Sequence, residues 1–82
     1  MTRDEARTLI AECLRRIAPE VDLDDADPAN PMSDELDLDS MDLLSLYEAL
    51  HERTGLELPE SDYQQLATLD GAVGYLVARS EV

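Results

Sequence analysis

Apolar residues recur at intervals of three and four in three stretches of the sequence, and this spacing limits the chain to a helical fold. The first such series is Ala6, Leu9, Ile10, Cys13, Leu14 and Ile17. A repeat of this kind places its members on one face of an α-helix. No alternation of apolar and polar residues is long enough to predict a β-strand. We therefore predict an all-α fold, a small bundle of three main helices and one short helix.

The first helix is predicted from about Arg3 to Ile17. Thr2 and Glu5 have the spacing of a capping box, and Pro19 stops the helix soon after two arginines in its last turn. Cys13 lies within the apolar stripe, so we expect a small buried side chain rather than a reactive thiol.

The second helix is predicted from about Ser40 to Arg53. Asp39 is the expected N-cap, Asp42 supports the first turn, and Gly55 lies just beyond the last turn. One face of this helix is expected to point to the core, and it carries Leu43, Leu46, Tyr47, Leu50 and Thr54.

Two helical segments are predicted in the last third of the chain. Residues 60–66 offer a short helix anchored by Tyr63 and Leu66. The third main helix begins at Leu69, after Thr68 as a cap, and its apolar stripe runs to Val77. With 82 residues in all, the chain is predicted to be one domain with one core.

The stretch between the first two main helices, about residues 18–39, is predicted to be a long acidic loop. Half of the twenty acidic residues lie between Glu20 and Asp42, where there is no arginine or lysine. The formal net charge of −14, with six arginines and no lysine, excludes nucleic acid and anionic membranes as partners. The acids do not have the spacing of a calcium-binding EF-hand loop, so we predict no metal site.

Catalysis by the chain itself is not expected. A serine nucleophile needs a base, and the single histidine, His51, lies about 16 Å along the predicted helix from Ser40. No glycine-rich phosphate loop is present, and the abundant carboxylates are typical of a solvated surface.

Ser40 is instead a candidate for modification by another enzyme. The amino end of a helix has unpaired backbone N–H groups and the positive end of the helix dipole, so it tolerates an attached phosphodiester. Met41 and Leu44 lie off the predicted core face, near solvent beside this serine. The alternative reading is an ordinary helix-start serine with isolated surface apolar residues.

The segment from Leu38 to Leu46, with the order Asp39, Ser40, Met41, closely resembles the Asp-Ser-Leu signature of acyl carrier proteins. The resemblance continues through residues 56–59, which are similar to the family's connector after helix II, and through residues 69–76 of the last helix. With the first helix, it covers nearly the whole chain.

The resemblance implies a carrier rather than an enzyme. Ser40 corresponds to the serine that receives the 4′-phosphopantetheine arm from coenzyme A, and Asp39 to the residue that helps position the metal centre of the phosphopantetheinyl transferase. Cargo is held on the arm as a thioester. Five positions match the family's partner-binding surface, which meets basic patches on acyl-loading and acyl-processing enzymes: Met41, Asp42, Leu44, Glu48 and Glu52.

Departures from the common fatty-acid carriers lie along the second helix. Ser45 and His51 replace acidic residues, Glu48 replaces an apolar contact, and Thr54 takes a position often filled by an aromatic residue. We therefore expect a stand-alone carrier for a specialised lipid or polyketide-type pathway. The alternatives are an aminoacyl or D-alanyl carrier, and an acidic interaction module without a prosthetic group.

Three expectations concern the setting of the protein. The lone cysteine allows no internal disulfide, and the start of the sequence lacks a secretory apolar segment, so a cytoplasmic protein is expected. No run of apolar residues is long enough to insert into a membrane. We also expect a monomer.

Overall fold

Helices account for most of the computed structural model, which describes residues 1–80. The four α-helices are α1 (Arg3–Ile17), α2 (Met32–Glu35), α3 (Ser40–Thr54) and α4 (Leu69–Ser80). Single 3₁₀ turns lie at Leu23–Asp25 and Glu60–Asp62. The predicted all-α bundle, with three main helices and short helical pieces between them, is confirmed. Among residues 1–80 no helix has both the length and the apolar character needed to cross a membrane.

Helix α1 is the centre of the bundle, because it packs against both α3 and α4. Its predicted bounds and its capping box are confirmed, since Thr2 and Glu5 exchange hydrogen bonds of 3.1 and 2.8 Å. The core face of α1 carries Ala6, Ile10, Cys13 and Leu14. Burial raises the pKa of the Cys13 thiol, which agrees with the prediction of an inert side chain.

The segment between α1 and α3 is more ordered than the predicted loop. It buries Leu23, Met32 and Leu38 in the common core. The Met32 N–H donates to the Ala67 carbonyl at 2.7 Å, beside an isolated bridge between residues 31 and 68. A hydrogen bond of 3.0 Å joins the Asp70 N–H to the Pro28 carbonyl. The acidic segment is therefore fastened to the start of α4.

Between α2 and α3 the chain passes through a residue with a left-handed backbone conformation. Asp37 has φ of 54°, a conformation that aspartate tolerates better than most residues. It follows α2, and the Leu38 N–H then donates to the Ser33 carbonyl at 3.1 Å. Leu38 turns inward and is 6% exposed, which leaves Asp39 and Ser40 at the surface.

Helix α3 ends one residue later than predicted, at Thr54, with Gly55 in the left-handed region at φ of 71°. The short helix predicted over residues 60–66 is smaller than expected, because only Glu60–Asp62 form a helical turn and isolated turns follow it. Leu66 anchors this segment as predicted and is fully buried.

Asp62 holds the segment after α3 against α4. Its Oδ2 accepts hydrogen bonds from the Tyr75 hydroxyl at 2.6 Å and from Arg79 Nη2 at 2.9 Å. The Arg79 guanidinium also lies 4.8 Å from the centre of the Tyr75 ring. Desolvation, and next the bond to Asp62, raise the pKa of the Tyr75 hydroxyl. The last turn of α4 lies beyond the predicted apolar stripe. Through Arg79 it thus helps to hold the segment between α3 and α4 in place.

Helix α4 begins as predicted, with a threonine cap. The Thr68 hydroxyl accepts from the Gly71 N–H at 2.9 Å. A Cβ at position 71 would collide with the Gln65 carbonyl oxygen and come within 2.8 Å of the Thr68 hydroxyl, so glycine is needed there for close approach.

Candidate functional site

Ser40 is the first residue of α3 and is exposed. The predicted N-cap is confirmed, because Asp39 Oδ1 accepts from the Asp42 N–H at 2.8 Å. In return Asp42 Oδ2 accepts from the Asp39 N–H at 3.3 Å. This reciprocal pair fixes the first turn of the helix on both sides of Ser40. The hydroxyl is therefore presented to solvent from a rigid position.

The amino end of α3 can accommodate an anionic group on Ser40. The first N–H groups of an α-helix have no partner within the helix, and the dipole makes that end positive. The third of these N–H groups, that of Asp42, donates to Asp39. The N–H groups of Ser40 and Met41 are the first two of the helix and come before it. The local backbone thus offsets part of the negative charge of the surrounding side chains.

The single histidine of the chain is not placed to activate Ser40. His51 lies at the far end of α3, and its Nδ1 is 2.6 Å from the Leu56 carbonyl oxygen. It lies eleven positions after Ser40 along the helix, a rise of about 16 Å. The His51 imidazole therefore cannot serve as a base for the Ser40 hydroxyl.

Two large apolar side chains are exposed beside Ser40. Met41 is 70% exposed and Leu44 is 43% exposed, and they are the large hydrophobic residues left most open to solvent in the described part of the chain. Their predicted position off the core face is confirmed. An apolar patch next to a reactive group is typical of a surface that another protein covers.

Three of the five residues predicted to bind partners lie in one line with Ser40 along α3. Ser40, Leu44, Glu48 and Glu52 are spaced at four-residue intervals, a stripe about 18 Å long. Both glutamates are exposed. Asp42 is half-buried, and one of its oxygens is already bonded to the N-cap backbone, so it presents less of its carboxylate than the glutamates do.

An open groove of about 380 Å³ begins at Ser40 and runs between α3 and the segment that follows it. We call it the Ser40 groove; it is lined by Ser40, Leu43, Leu44, Tyr47, Glu60, Tyr63, Gln64 and Ala67. The apolar spacing of the sequence predicts Leu43 and Tyr47 as core residues alone and does not indicate that they line the groove. Tyr63 is predicted only as an anchor, although an aromatic residue in so short a segment is a signal of a second role.

Two of the residues that line the Ser40 groove, Tyr47 and Tyr63, form an aromatic pair. The ring centres of Tyr47 and Tyr63 are 4.5 Å apart and the rings are tilted by 40°. Such tilted aromatic pairs are more stable than the burial of their area alone explains. Burial, and next the neighbouring Tyr63, raise the pKa of the Tyr47 hydroxyl.

The charges around this end of the molecule are uncompensated. Four arginines form ion pairs with acidic residues: Arg3 with Asp70, Arg7 with Asp24, Arg53 with Glu12, and Arg79 with Asp62. None of them is paired with Glu35, Asp37, Asp39 or Asp42, the acids nearest to Ser40 in sequence. Among residues 1–80 no three carboxylate, imidazole or thiol side chains are arranged to hold a metal ion.

Comparison with known protein families identifies the family of this chain. The sequence model of the family described as "Phosphopantetheine attachment site" matches residues 5–76, which is most of the chain. The chain belongs to this family of carrier domains. Its members are not enzymes; they are modified with 4′-phosphopantetheine. An exposed serine at a helix start, beside an apolar groove, fits such a group.

Three relatives of the chain are acyl carrier proteins. The chain is 28% identical to the acyl carrier protein of Acidothermus cellulolyticus over 93% of the chain and 89% of the relative. It is 33% identical to that of Rubrobacter xylanophilus over 70% of each chain. With the acyl carrier protein of Campylobacter jejuni subsp. doylei it shares 29% over 92% of the chain and 91% of the relative. The chain is thus a phosphopantetheine-carrying protein homologous to acyl carrier proteins.

Proposed function

We propose that the protein is a single-domain acyl carrier in a specialised lipid or polyketide-type pathway, with Ser40 as the attachment point of its 4′-phosphopantetheine arm. The observation that carries this proposal is the position of Ser40. It is exposed at the first residue of α3, is flanked by the bonded pair Asp39 and Asp42, and opens into an apolar groove. The arm supplies the thiol that holds cargo as a thioester.

Asp39 has two functions in this proposal. Its Oδ1 caps the helix, which holds the Ser40 backbone in place. Its side chain is also exposed, so a second lone pair remains for the metal centre of a phosphopantetheinyl transferase. The transferase must bring the base, because His51 is too far away to act on Ser40.

The partner surface consists of Met41, Asp42, Leu44, Glu48 and Glu52. Its apolar residues lie at the Ser40 end, and its exposed carboxylates continue along α3. A basic patch on a transferase or on an acyl-loading or acyl-processing enzyme complements the carboxylates, and an apolar pocket covers Met41. Attraction between opposite charges over about 10 Å speeds the encounter at 0.1 M salt.

The composition of α3 supports a specialised pathway. Ser45, Glu48 and His51 make this helix different from that of common fatty-acid carriers, and all three are exposed. Enzymes that recognise the common surface are expected to process this protein slowly. Equal turnover of its acyl form and of the main fatty-acid carrier of the same host by fatty-acid-synthase enzymes would contradict this part.

The cellular compartment and the oligomeric state are inferred from Cys13 and from the exposed apolar residues of α3. A buried lone Cys13 needs no oxidising compartment, which favours the cytoplasm. Met41 and Leu44 alone make a patch smaller than a stable homodimer requires, which favours a monomer. Light scattering on the purified protein measures the second point, and a dimer mass contradicts it.

The attachment point is tested by mass spectrometry. The protein is incubated with coenzyme A, Mg²⁺ and a broad-specificity phosphopantetheinyl transferase, and we expect the mass to increase by one arm. Ser40→Ala abolishes the gain. Ser45→Ala is the matched control, an exposed serine on the same helix, and it leaves the gain unchanged. No gain on the wild type, or an equal gain on Ser40→Ala, refutes the proposal.

The type of cargo is tested on protein isolated from its native host. Mass spectrometry of the thioester-bound group distinguishes an acyl chain from an amino acid. An acyl group supports the proposal. An aminoacyl or D-alanyl group contradicts it and supports the alternative carrier type, which has the same bundle and the same serine.

A further inference from the structure

The sulfur atoms of the chain differ in their access to solvent. They belong to Met1, Cys13, Met32 and Met41. Cys13 and Met32 are each 2% exposed and lie in the core, and Met1 is partly buried against it. Of these four residues, all within the described residues 1–80, only Met41 is mostly open to water, at 70% exposed. A reagent in solution that attacks sulfur therefore reaches Met41 first.

The thioether of an exposed methionine is a soft nucleophile that peroxides oxidise. The sulfur lone pair attacks one oxygen of the peroxide, so that an S–O bond forms while the O–O bond breaks. The second oxygen leaves with the proton of the first, as water from hydrogen peroxide or as an alcohol from an organic peroxide. Sulfur loses two electrons and the peroxide gains them. The product is methionine sulfoxide, and no residue of the protein has to act as a base.

The single thiol of the chain does not compete for the peroxide. Cys13 is free but buried. Burial raises the pKa of its thiol, so little of the reactive thiolate is present at neutral pH. Oxidation of the protein before an arm is attached is therefore directed to methionine.

Oxidation of Met41 changes the surface beside Ser40 and leaves the core as it is. Met41 is the second residue of α3, and with Leu44 it forms the exposed apolar patch. A sulfoxide oxygen is hydrated, and an apolar pocket on a partner removes that water without offering a hydrogen bond in return. The charge of α3 does not change, because methionine and its sulfoxide are both neutral.

We propose that Met41 is an oxidation site at which a peroxide reversibly weakens the docking of partner proteins at the Ser40 end of α3. The part that concerns docking rests on the proposed function, whereas the site of oxidation follows from exposure alone. Exposure also leaves the sulfoxide open to a methionine sulfoxide reductase, in which two electrons from a dithiol release the oxygen as water and a disulfide forms. Leucine, the residue of the Asp-Ser-Leu signature at this position, has no group that reacts in this way.

The site of oxidation is tested by peptide mapping. The folded protein, without an arm, is treated with hydrogen peroxide, and mass spectrometry follows the gain of one oxygen at each methionine. We expect Met41 to react at least about ten times faster than Met32, with Met1 between them. The same treatment in urea is the control, in which all three react at similar rates. Oxidation of Met1 or Met32 as fast as Met41 in the folded protein overturns the inference.

The effect on docking is tested with the broad-specificity phosphopantetheinyl transferase after the peroxide has been removed. At low concentrations of the carrier the rate of modification is expected to fall about tenfold, and a methionine sulfoxide reductase with a dithiol restores it. Circular dichroism is expected to show unchanged helix content. An unchanged rate, or a loss of helix content, contradicts the inference. If the untreated protein gains no arm, the proposed function fails and the docking part with it, while the oxidation map stands.

Two variants assign the effect to one sulfur atom. Each rate is divided by the rate of the same variant before treatment. For Met41→Leu this ratio is expected to stay close to one, whereas Met32→Leu, the matched control that removes a buried methionine, keeps the tenfold fall of the wild type. The salt dependence of the rate is the same before and after treatment, because no charge changes. An equal fall in Met41→Leu, or a changed salt dependence in the wild type, refutes the assignment.

Discussion

The inner and outer faces of α3 have opposite environments although their residues alternate in sequence. On the inner face Leu46 and Leu50 are fully buried and Tyr47 is 5% exposed, whereas on the outer face Met41 is 70% exposed. Leu44 and Leu46 are two residues apart and lie on different faces. One helix therefore carries both the centre of the core and the surface that presents the proposed modification site. Substitutions on the two faces are expected to have separable effects.

The largest expected effect is on the inner face. Leu46→Asp places an unpaired charge in the centre of the core, and we expect a loss of about 3–5 kcal/mol in the free energy of unfolding. That loss is most of the stability of a domain this small, so the variant is unfolded. Circular dichroism with urea titration measures it.

Leu44→Asp is the matched control for this prediction, with the same change two residues away on the outer face. We expect its helix content and its urea midpoint to stay close to those of the wild type. If both variants unfold, or if neither does, the division of α3 into two faces is wrong.

A smaller loss of stability is expected from substitution of Asp39, the N-cap of α3, where the two faces of the helix meet. Asp39→Ala removes the acceptor for the Asp42 N–H and is expected to cost about 1 kcal/mol. Asp39→Asn keeps an acceptor and restores most of that stability, but it removes the charge. If Asp39 also serves the transferase, both variants are modified slowly. Wild-type modification rates in Asp39→Asn would restrict its role to capping.

The inner face is also expected to respond to alkaline pH. Burial raises the pKa of Tyr47 above its ordinary value of 10.0, so folding favours the neutral phenol. Its contribution is complete below pH 10 and is lost as the pH rises through the raised pKa. Urea titrations at increasing pH are expected to show this loss, and Tyr47→Phe to reduce it. An identical pH dependence in Tyr47→Phe would assign the loss to other groups.

The smallest effect on stability is expected for Met41→Asp. The side chain is already in water, so the free energy of unfolding is expected to change by less than about 0.5 kcal/mol. Modification by the transferase or turnover by a partner enzyme falls, because an apolar contact is lost and a charge is added. Met41→Leu restores turnover. Unfolding of Met41→Asp, shown by circular dichroism, would contradict the facing of this helix.

The main helices were predictable because their signals are local. Helix α1 has its bounds as predicted, since a capping box begins it and Pro19 follows its end. Helix α3 begins at the predicted residue because Asp39 is its cap. Its end is one residue late, because the Gly55 N–H still donates to the His51 carbonyl at 2.8 Å, which keeps Thr54 within the last turn.

The short elements and the groove were not predictable in the same way. Helix α2 and the two 3₁₀ turns have three or four residues each, too few for an apolar repeat to show. The Tyr47–Tyr63 pair and the bonds of Asp62 join residues on different elements, so no spacing along the sequence reveals them. For the candidate site, the sequence indicated the exposed residues of α3. It did not indicate that residues 60–67 form the opposite wall of the Ser40 groove.

The hydrogen bond between Met32 and Ala67 has a consequence for how the molecule opens. Together with the bond from Asp70 to Pro28, it joins the two connecting segments and closes a loop that contains all of α3. Local unfolding that breaks this closure releases the acidic segment, Ser40 and the groove wall together, as one cooperative unit. Amide hydrogens on both sides of the groove are then expected to exchange with a common opening free energy, below that of α1.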